Sequence, residues 1–223
     1  MDTNTSIKPD LIPPVLFVTG TGTDVGKSWA TGWLARELAR AGSNVITQKF
    51  IQTGNCGRSE DIEVHRSIMG IPLQPRDLDG TTAPIILSYP ASPHLAARID
   101  GIEIDWEVPA ASSRKLACEY DHVLIEGAGG ALVPLNDRLL TADWIARHDL
   151  PAAVVTGGML GSINHTLLTL EALEARGVKV ALVIYNPHFD TDEVICPDTR
   201  AYLRRYLSRH HPGAIWLEMP ENL

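Results

Sequence analysis

Short apolar runs rich in β-branched residues recur along the chain: Val15 to Thr19, Asn44 to Lys49, His122 to Ile125, Ala152 to Thr156, Val180 to Tyr185 and Ala214 to Leu217. They are apolar at successive rather than alternate positions, which suits strands buried on both faces of a parallel sheet. Between them the period becomes helical. Ala30, Trp33, Leu34, Leu38 and Ala41 fall on one face, and Gly42 offers a left-handed stop. A later helix is predicted from Ser162 to a stop at Gly177, with Leu167, Leu170 and Leu173 among its apolar positions, and another over Asp198 to Arg209. The stretch Asn55 to Pro93, rich in Pro, Gly and charge, predicts one helix, Asp61 to Met69. Strand and helix thus alternate, which predicts an α/β class, three-layer α/β/α architecture with a mostly parallel central sheet and right-handed crossovers. Its ligand should sit beyond the carboxyl ends of the strands. Residues 1–14 read as a flexible polar, proline-bearing tail and residues 15–223 as a single domain.

The first strand runs into Gly20-Thr21-Gly22-Thr23-Asp24-Val25-Gly26-Lys27-Ser28, which opens the first helix. In that context the segment is a phosphate-binding loop, and the fold expected is that of the P-loop NTPases. The glycines let backbone N–H groups turn toward phosphate oxygens, the helix N-terminus adds positive potential, and Lys27 places a full charge between the terminal phosphates. Ser28 supplies a hydroxyl for Mg²⁺. The loop is a variant, because Gly20 and Gly26 are separated by five residues and Thr21 stands where the usual first glycine would be. Thr23, Asp24, Val25, Gly26, Lys27, Ser28 and Trp29 are the expected nucleotide contacts here.

Two carboxylates could complete a metal site. Glu126 ends the strand His122 to Ile125, just before Gly127-Ala128-Gly129-Gly130, where a strand-end acid reaches Mg²⁺ and the glycines leave room for phosphate. Asp61 lies in a Ser-Glu-Asp run that suits a solvated helix start equally well. Lys49 ends the second strand, at the edge where ligands collect, and could neutralise a transferred phosphoryl group.

Composition narrows the partners. The 27 acidic and 19 basic side chains give a net charge of -8, which opposes broad attraction to nucleic acid or anionic lipid. Cys56, Cys118 and Cys196 are odd in number and widely spaced, so neither a disulfide framework nor a zinc knuckle is suggested. The first residues lack a signal-peptide pattern, and no apolar run approaches the roughly 20 residues that span a bilayer. A cytoplasmic protein is expected. Of the eight histidines, His210 and His211 read as surface and the others as structural or as partners that hold a site residue from behind, since no metal-ligand spacing such as HExxH occurs.

Taken together, GTGTDVGKS from Gly20, KFIQTG from Lys49, Ser59-Glu60-Asp61, Ser92-Pro93-His94, IEGAGG from Ile125 and LGSINH from Leu160 resemble the dethiobiotin synthetase family, from about Phe17 to the C-terminus. The resemblance implies ATP- and Mg²⁺-dependent formation of dethiobiotin from 7,8-diaminononanoate and CO₂, a ligase step of biotin biosynthesis. A carbamate forms on the 7-amino group, ATP phosphorylates it, and the 8-amino group closes the ring. By position, Lys27 and Lys49 would be catalytic, and Ser28, Asp61 and Glu126 the metal-side ligands. Gly127, Ala128 and Gly129 would contact nucleotide, and Asn186 with Pro187 would hold the adenine, although an Asn before Pro is also an ordinary turn. Thr53 would bond the substrate amine or carbamate. The family is homodimeric, with the substrate tail held partly by the other subunit. Gly161, Ser162, Ile163 and Asn164 would offer backbone N–H groups to its carboxylate, assisted by Tyr202.

Three departures stand out. Met159 sits where relatives often carry a lysine, Pro187 where others often have Asp, and the chain ends soon after Met219-Pro220. The last predicts looser nucleotide discrimination. A switch-type ATPase of the partition or iron-protein class shares the fold, but such loops carry an early lysine where this chain has Thr21, Gly22 and Thr23. An amidoligase with an appended glutaminase domain would need a longer chain.

Overall fold

The structure, a computed structural model, describes residues 7–221. After a 3-10 turn at Pro9–Leu11 the chain runs through β1 (Val15–Gly20), α1 (Lys27–Arg40), β2 (Val45–Lys49), β3 (Gln52–Thr53), α2 (Glu60–Met69), α3 (Pro75–Leu78), β4 (Ile86–Leu87), α4 (Pro93–Asp100), α5 (Glu107–Ala117) and β5 (His122–Glu126). It continues with β6 (Pro134–Asn136), β7 (Leu139–Leu140), α6 (Thr141–Arg147), β8 (Ala152–Gly157), α7 (Ser162–Glu174), β9 (Val180–Asn186), α8 (Ile195–His210) and β10 (Ile215–Glu218). The main sheet has the order β10-β9-β8-β1-β5-β2, and every pairing in it is parallel. Its six strands are the six apolar runs of the sequence.

Successive strand residues point to opposite faces, and here both faces are dry. Leu16 and Val18 of β1, Leu124 of β5 and Val155 of β8 pack with Ala30, Trp33, Leu34 and Leu38 of α1. Phe17, Val123, Ile125 and Val154 pack on the other side with Leu116 of α5, Trp144 of α6, and Leu170 and Leu173 of α7. Three layers result, as the patterning predicts. The chain goes from β1 to β2 and back to β5 on one side of β1, then to β8, β9 and β10 on the other. The crevice at the carboxyl end of β1 is therefore the topological switch point, where such sheets bind ligands.

Within the expected tail, the described residues are partly packed. Ile7 and Ile12 are buried against the α1 side of the core, because two isoleucines within reach of that surface gain more from burial than they lose in freedom. Residues 1–6 lie outside the described residues. Among the described residues, no helix is long and apolar enough to cross a membrane.

Between α2 and α3 the chain buries an ion pair. Arg66 Nη2 lies 2.7 Å from Asp77 Oδ1, both side chains being 3% exposed. Burial pushes the Asp77 carboxyl up, but the Arg66 guanidinium and the Gln74 backbone N–H outweigh it and hold it below the usual carboxylate range. Because the folded value lies below the unfolded one, the stabilisation is complete above the ordinary pKa of about 4. It is lost as pH falls through the lower, folded value. Asp77→Asn is expected to cost about 3 kcal/mol near neutrality, since it leaves a buried guanidinium without its counter-charge. In urea unfolding across an acid series, the gap from wild type should close as acid is added; a gap independent of pH would contradict this account.

Candidate active site

Register builds the site. Lys49 at the end of β2 is the Cα partner of Glu126 at the end of β5, and Val18 of β1 is the Glu126 partner on the other side. Parallel neighbours in register point the same way, so the Lys49 amine meets the Glu126 carboxylate at 2.8 Å. The strand end is held by an aromatic cluster directly beneath it, in which the Phe50 and Trp144 ring centroids are 4.5 Å apart and Phe17 is 5.6 Å from Phe50. Ser59 caps α2, its hydroxyl accepting from Ile62 N. This start places Asp61 in the first turn, facing inward, where Oδ2 is 2.6 Å from Lys49 Nζ. Ser28 Oγ lies 2.8 Å from Asp61 Oδ1 and 2.9 Å from Glu126 Oε1.

These groups open into one cavity of about 580 Å³. Thr23, Asp24, Gly26, Lys27, Ser28, Trp29, Lys49, Thr53, Asp61, Glu126, Ala128, Gly129 and Asn186 all line it. The two lysines, one opening α1 and the other ending β2, thus share a chamber. Lys27 donates to the loop's own Gly22 carbonyl at 2.7 Å. Burial, working against Glu126 and helped by the Lys49 charge, brings its amine down to about 8. Burial also pushes the Lys49 amine down, but Glu126 and Asp61 outweigh it and hold it above its ordinary value. Burial would raise Glu126, yet the Lys49 charge and the His65 hydrogen bond keep it well below the carboxylate range. Lys49 is therefore a firm cation, and Lys27 a cation whose charge an incoming phosphate would secure.

Not every expected residue faces the cavity. The Val25 carbonyl accepts from Asn186 Nδ2 at 3.1 Å, the Gly127 carbonyl accepts from Lys49 Nζ at 3.2 Å, and Pro187 is buried. None of these three lines the cavity. Asn186, whose Oδ1 also accepts from His188 N, spends its amide here on bracing the phosphate loop. Gly161, Ser162, Ile163, Asn164 and Tyr202 are not among the residues that line the cavity with the lysines. Gly161, at φ 95°, caps α7, which starts at Ser162 as expected, and the Ser162 N–H is donated to Met159 O. Ser162 is buried and Tyr202 is exposed on α8.

Sequence reasoning missed Ile51, Gln52, Val64, His188, Phe189, Met219, Pro220 and Glu221, which complete the walls, and it did not single out His65 among the histidines read as structural or as holding a site residue from behind. His65 is fully buried with Nε2 2.6 Å from Glu126 Oε2. Its signal was present: His65 stands four residues after Asp61, one helical turn along the same face.

The donor set of Ser28, Asp61 and Glu126 is all oxygen, as a hard divalent cation requires. No group of three His, Cys, Asp or Glu gathers around a point among the described residues, so a cation here would draw its remaining ligands from phosphate and water.

A phosphate loop at a parallel-sheet switch point, with lysine, serine and carboxylates converging on it, defines a nucleotide-binding protein of the P-loop α/β class. Solved structures of that shape include the ParA protein of pNOB8 bound to nonspecific DNA (15% identity, TM-score 0.55, 94% of this chain and 86% of that one). The cell division protein FtsY of Thermotoga maritima is similar too (18% identity, TM-score 0.52, 96% and 64%); at these identities the likeness is one of fold. A family profile described as an AAA domain matches residues 15–217. The chain is 46% identical over 202 residues to the ATP-dependent dethiobiotin synthetase BioD 2 of Pasteurella multocida, covering 91% of this chain and 95% of that protein. It is 48% identical over 199 residues to the ATP-dependent dethiobiotin synthetase BioD of Chlorobaculum tepidum, covering 89% and 83%. The chain belongs to the dethiobiotin synthetase family.

Proposed function

We propose that this protein is a cytosolic, ATP-dependent dethiobiotin synthetase that joins CO₂ to 7,8-diaminononanoate and closes the product ring. The observation that carries the reading is the shared chamber, in which Lys27 and Lys49 stand beside Ser28, Asp61 and Glu126. The chemistry needs that arrangement. A carbamate oxygen must approach the γ-phosphorus of ATP, anion against anion, before the P–O bond to ADP breaks. Lys27 would bind the β- and γ-phosphates, while Lys49 would touch both the carbamate and the transferring phosphoryl. Thr53, half-buried in the wall, would hold the amine end of the substrate. The 8-amino nitrogen then attacks the carbamoyl carbon and expels phosphate, an intramolecular step whose effective molarity can reach about 10⁵ M.

Ser28, Asp61 and Glu126 would hold Mg²⁺, which when bound neutralises phosphate charge. The backbone around Gly26 to Trp29 and Gly127 to Gly129 would cradle phosphate and sugar, and Asn186 with Pro187 would hold the base once its amide exchanges the Val25 carbonyl for adenine. Gly161 to Asn164 and Tyr202 would take the carboxylate tail across a homodimer interface. Met159, Leu160 and Leu168, which are 52%, 84% and 55% exposed beside that helix start, support such a contact by the apolar surface they present.

The test is phosphate release from MgATP with and without diaminononanoate and bicarbonate, with dethiobiotin followed by mass spectrometry. Release should require the diamine. Equal hydrolysis without it would point instead to a switch-type ATPase.

A further inference from the structure

Behind the wall of the site runs a chain of buried polar groups that ends on Glu126. His65 Nε2 is 2.6 Å from Glu126 Oε2, and its Nδ1 is 3.0 Å from Thr47 Oγ1. Arg66 Nη1 donates to that same hydroxyl oxygen at 2.8 Å. Arg66 is itself fixed by two parallel bonds to Asp77, Nε to Oδ2 at 2.8 Å and Nη2 to Oδ1 at 2.7 Å. His65, Thr47 and Glu126 are each at most 1% exposed, so water does not substitute for any of these partners.

Counting protons gives the chain a direction. A guanidinium only donates and an ionised carboxylate only accepts. Arg66 therefore occupies a lone pair of Thr47, and the hydroxyl proton of Thr47 finds its acceptor, among the described residues, in His65 Nδ1. In the neutral ring the single proton then sits on Nε2, where Glu126 requires a donor. The opposite tautomer would aim a nitrogen lone pair at a carboxylate oxygen.

We infer that His65 is a positioning residue for Glu126, its tautomer set through Thr47 by the Arg66–Asp77 pair. The inference rests on the reading of Glu126 as a metal-side ligand. The terminal torsion of a glutamate is broad and nearly two-fold, so a carboxylate at a strand end needs a second anchor to present one chosen oxygen. His65 holds Oε2 at the back, which leaves Oε1 turned to Ser28 and Lys49. Partners of this kind, one bond removed from the ligand, commonly change metal affinity or activity by about 10- to 100-fold when removed.

Three variants and three readouts test this. His65→Leu removes the donor. His65→Gln carries an amide N–H where the ring had Nε2–H. Thr47→Val leaves the ring but removes what sets its tautomer. In the wild type, the ¹⁵N ring resonances of His65 should show one proton on Nε2, and Thr47→Val should shift them toward a tautomer mixture. Binding of Mn²⁺ in the presence of ADP, followed by electron paramagnetic resonance, should weaken about 10- to 100-fold in His65→Leu and recover most of that loss in His65→Gln. In turnover, the loss should fall on kcat, with KM for the diamine little changed. A wild-type ring protonated on Nδ1, or Mn²⁺ affinity equal in wild type and His65→Leu, overturns the inference. If His65→Leu does not fold, the comparison of wild type with His65→Gln and Thr47→Val decides on the same readouts. Absence of diamine-dependent turnover in the wild type would sink the functional reading alone, because neither resonance needs the reaction.

Discussion

Diamine-dependent phosphate release is expected to fall on the order of 10³-fold in Lys49→Ala, the scale on which a preorganised charge at a reacting oxyanion acts, while nucleotide still binds. Lys49 stands opposite the two acids, 2.6 Å from Asp61 and 2.8 Å from Glu126, and its amine is held in the charged form. Nothing else in the cavity wall offers a second fixed cation beside Lys27. Without it, the carbamate would have to approach the γ-phosphoryl group with its own charge uncancelled. The substitution also strips a counter-charge from a buried carboxylate, which threatens stability by a few kcal/mol. Lys49→Met, which keeps the volume of the stem, separates the two effects. Both variants should lose turnover alike, whereas Lys49→Met should retain more of the fold by unfolding midpoint. Turnover within tenfold of wild type in a folded Lys49→Met protein would remove Lys49 from the proposed chemistry, and nucleotide affinity measured by calorimetry would show whether binding had failed instead.

How much of this was legible beforehand depends on how local each cause is. The main strands were readable because each is buried on both faces, leaving an uninterrupted apolar run that no surface segment would carry. The phosphate loop was readable because its chemistry is sequential. In the segment from Asn55 to Pro93 only the helix expected over Asp61 to Met69 was, and it appears as Glu60–Met69; long-range contacts explain why the rest was not. β3 pairs in parallel with β4 across more than thirty residues, Gln52 beside Ile86, and Lys49 N donates to Thr82 O at 2.7 Å. Neither partner carries a local signal. The predicted helix over Asp198 to Arg209 begins earlier, at Ile195, since proline is tolerated in a first helical turn and Asp192 Oδ1 takes the N–H groups of Val194 and Ile195. His65 illustrates the limit at the site. Its helical face could be read from its spacing after Asp61, but its partner could not, because that depends on which residue of β5 the packing of α2 brings opposite. The substrate-tail residues differ again. Gly161 to Asn164 and Tyr202 came from resemblance alone, and none of them lines the cavity that holds the lysines.

Gly26→Ala should abolish tight nucleotide binding, lowering affinity by at least about 100-fold, as expected when a cradle of backbone donors is reshaped. Two costs coincide at this position. Gly26 has φ 92°, where a side chain costs about 1–2 kcal/mol, and a Cβ there would stand 2.2 Å from Asn186 Nδ2. The amide must then leave the Val25 carbonyl it holds at 3.1 Å, so the loop loses its brace just where Lys27 and Ser28 begin the helix. Gly42 isolates the first cost. It has φ 93° at the other end of α1, with nothing within 4 Å of a Cβ. Gly42→Ala should therefore lose about 1–2 kcal/mol of stability and keep its nucleotide affinity, whereas Gly26→Ala should lose more stability than that and the affinity as well. Titration of both variants with ATP, alongside their unfolding curves, makes the comparison. Equal affinities in the two would mean that Asn186 does not shape the phosphate loop, and the link between β9 and the nucleotide would have to be sought in the base pocket alone.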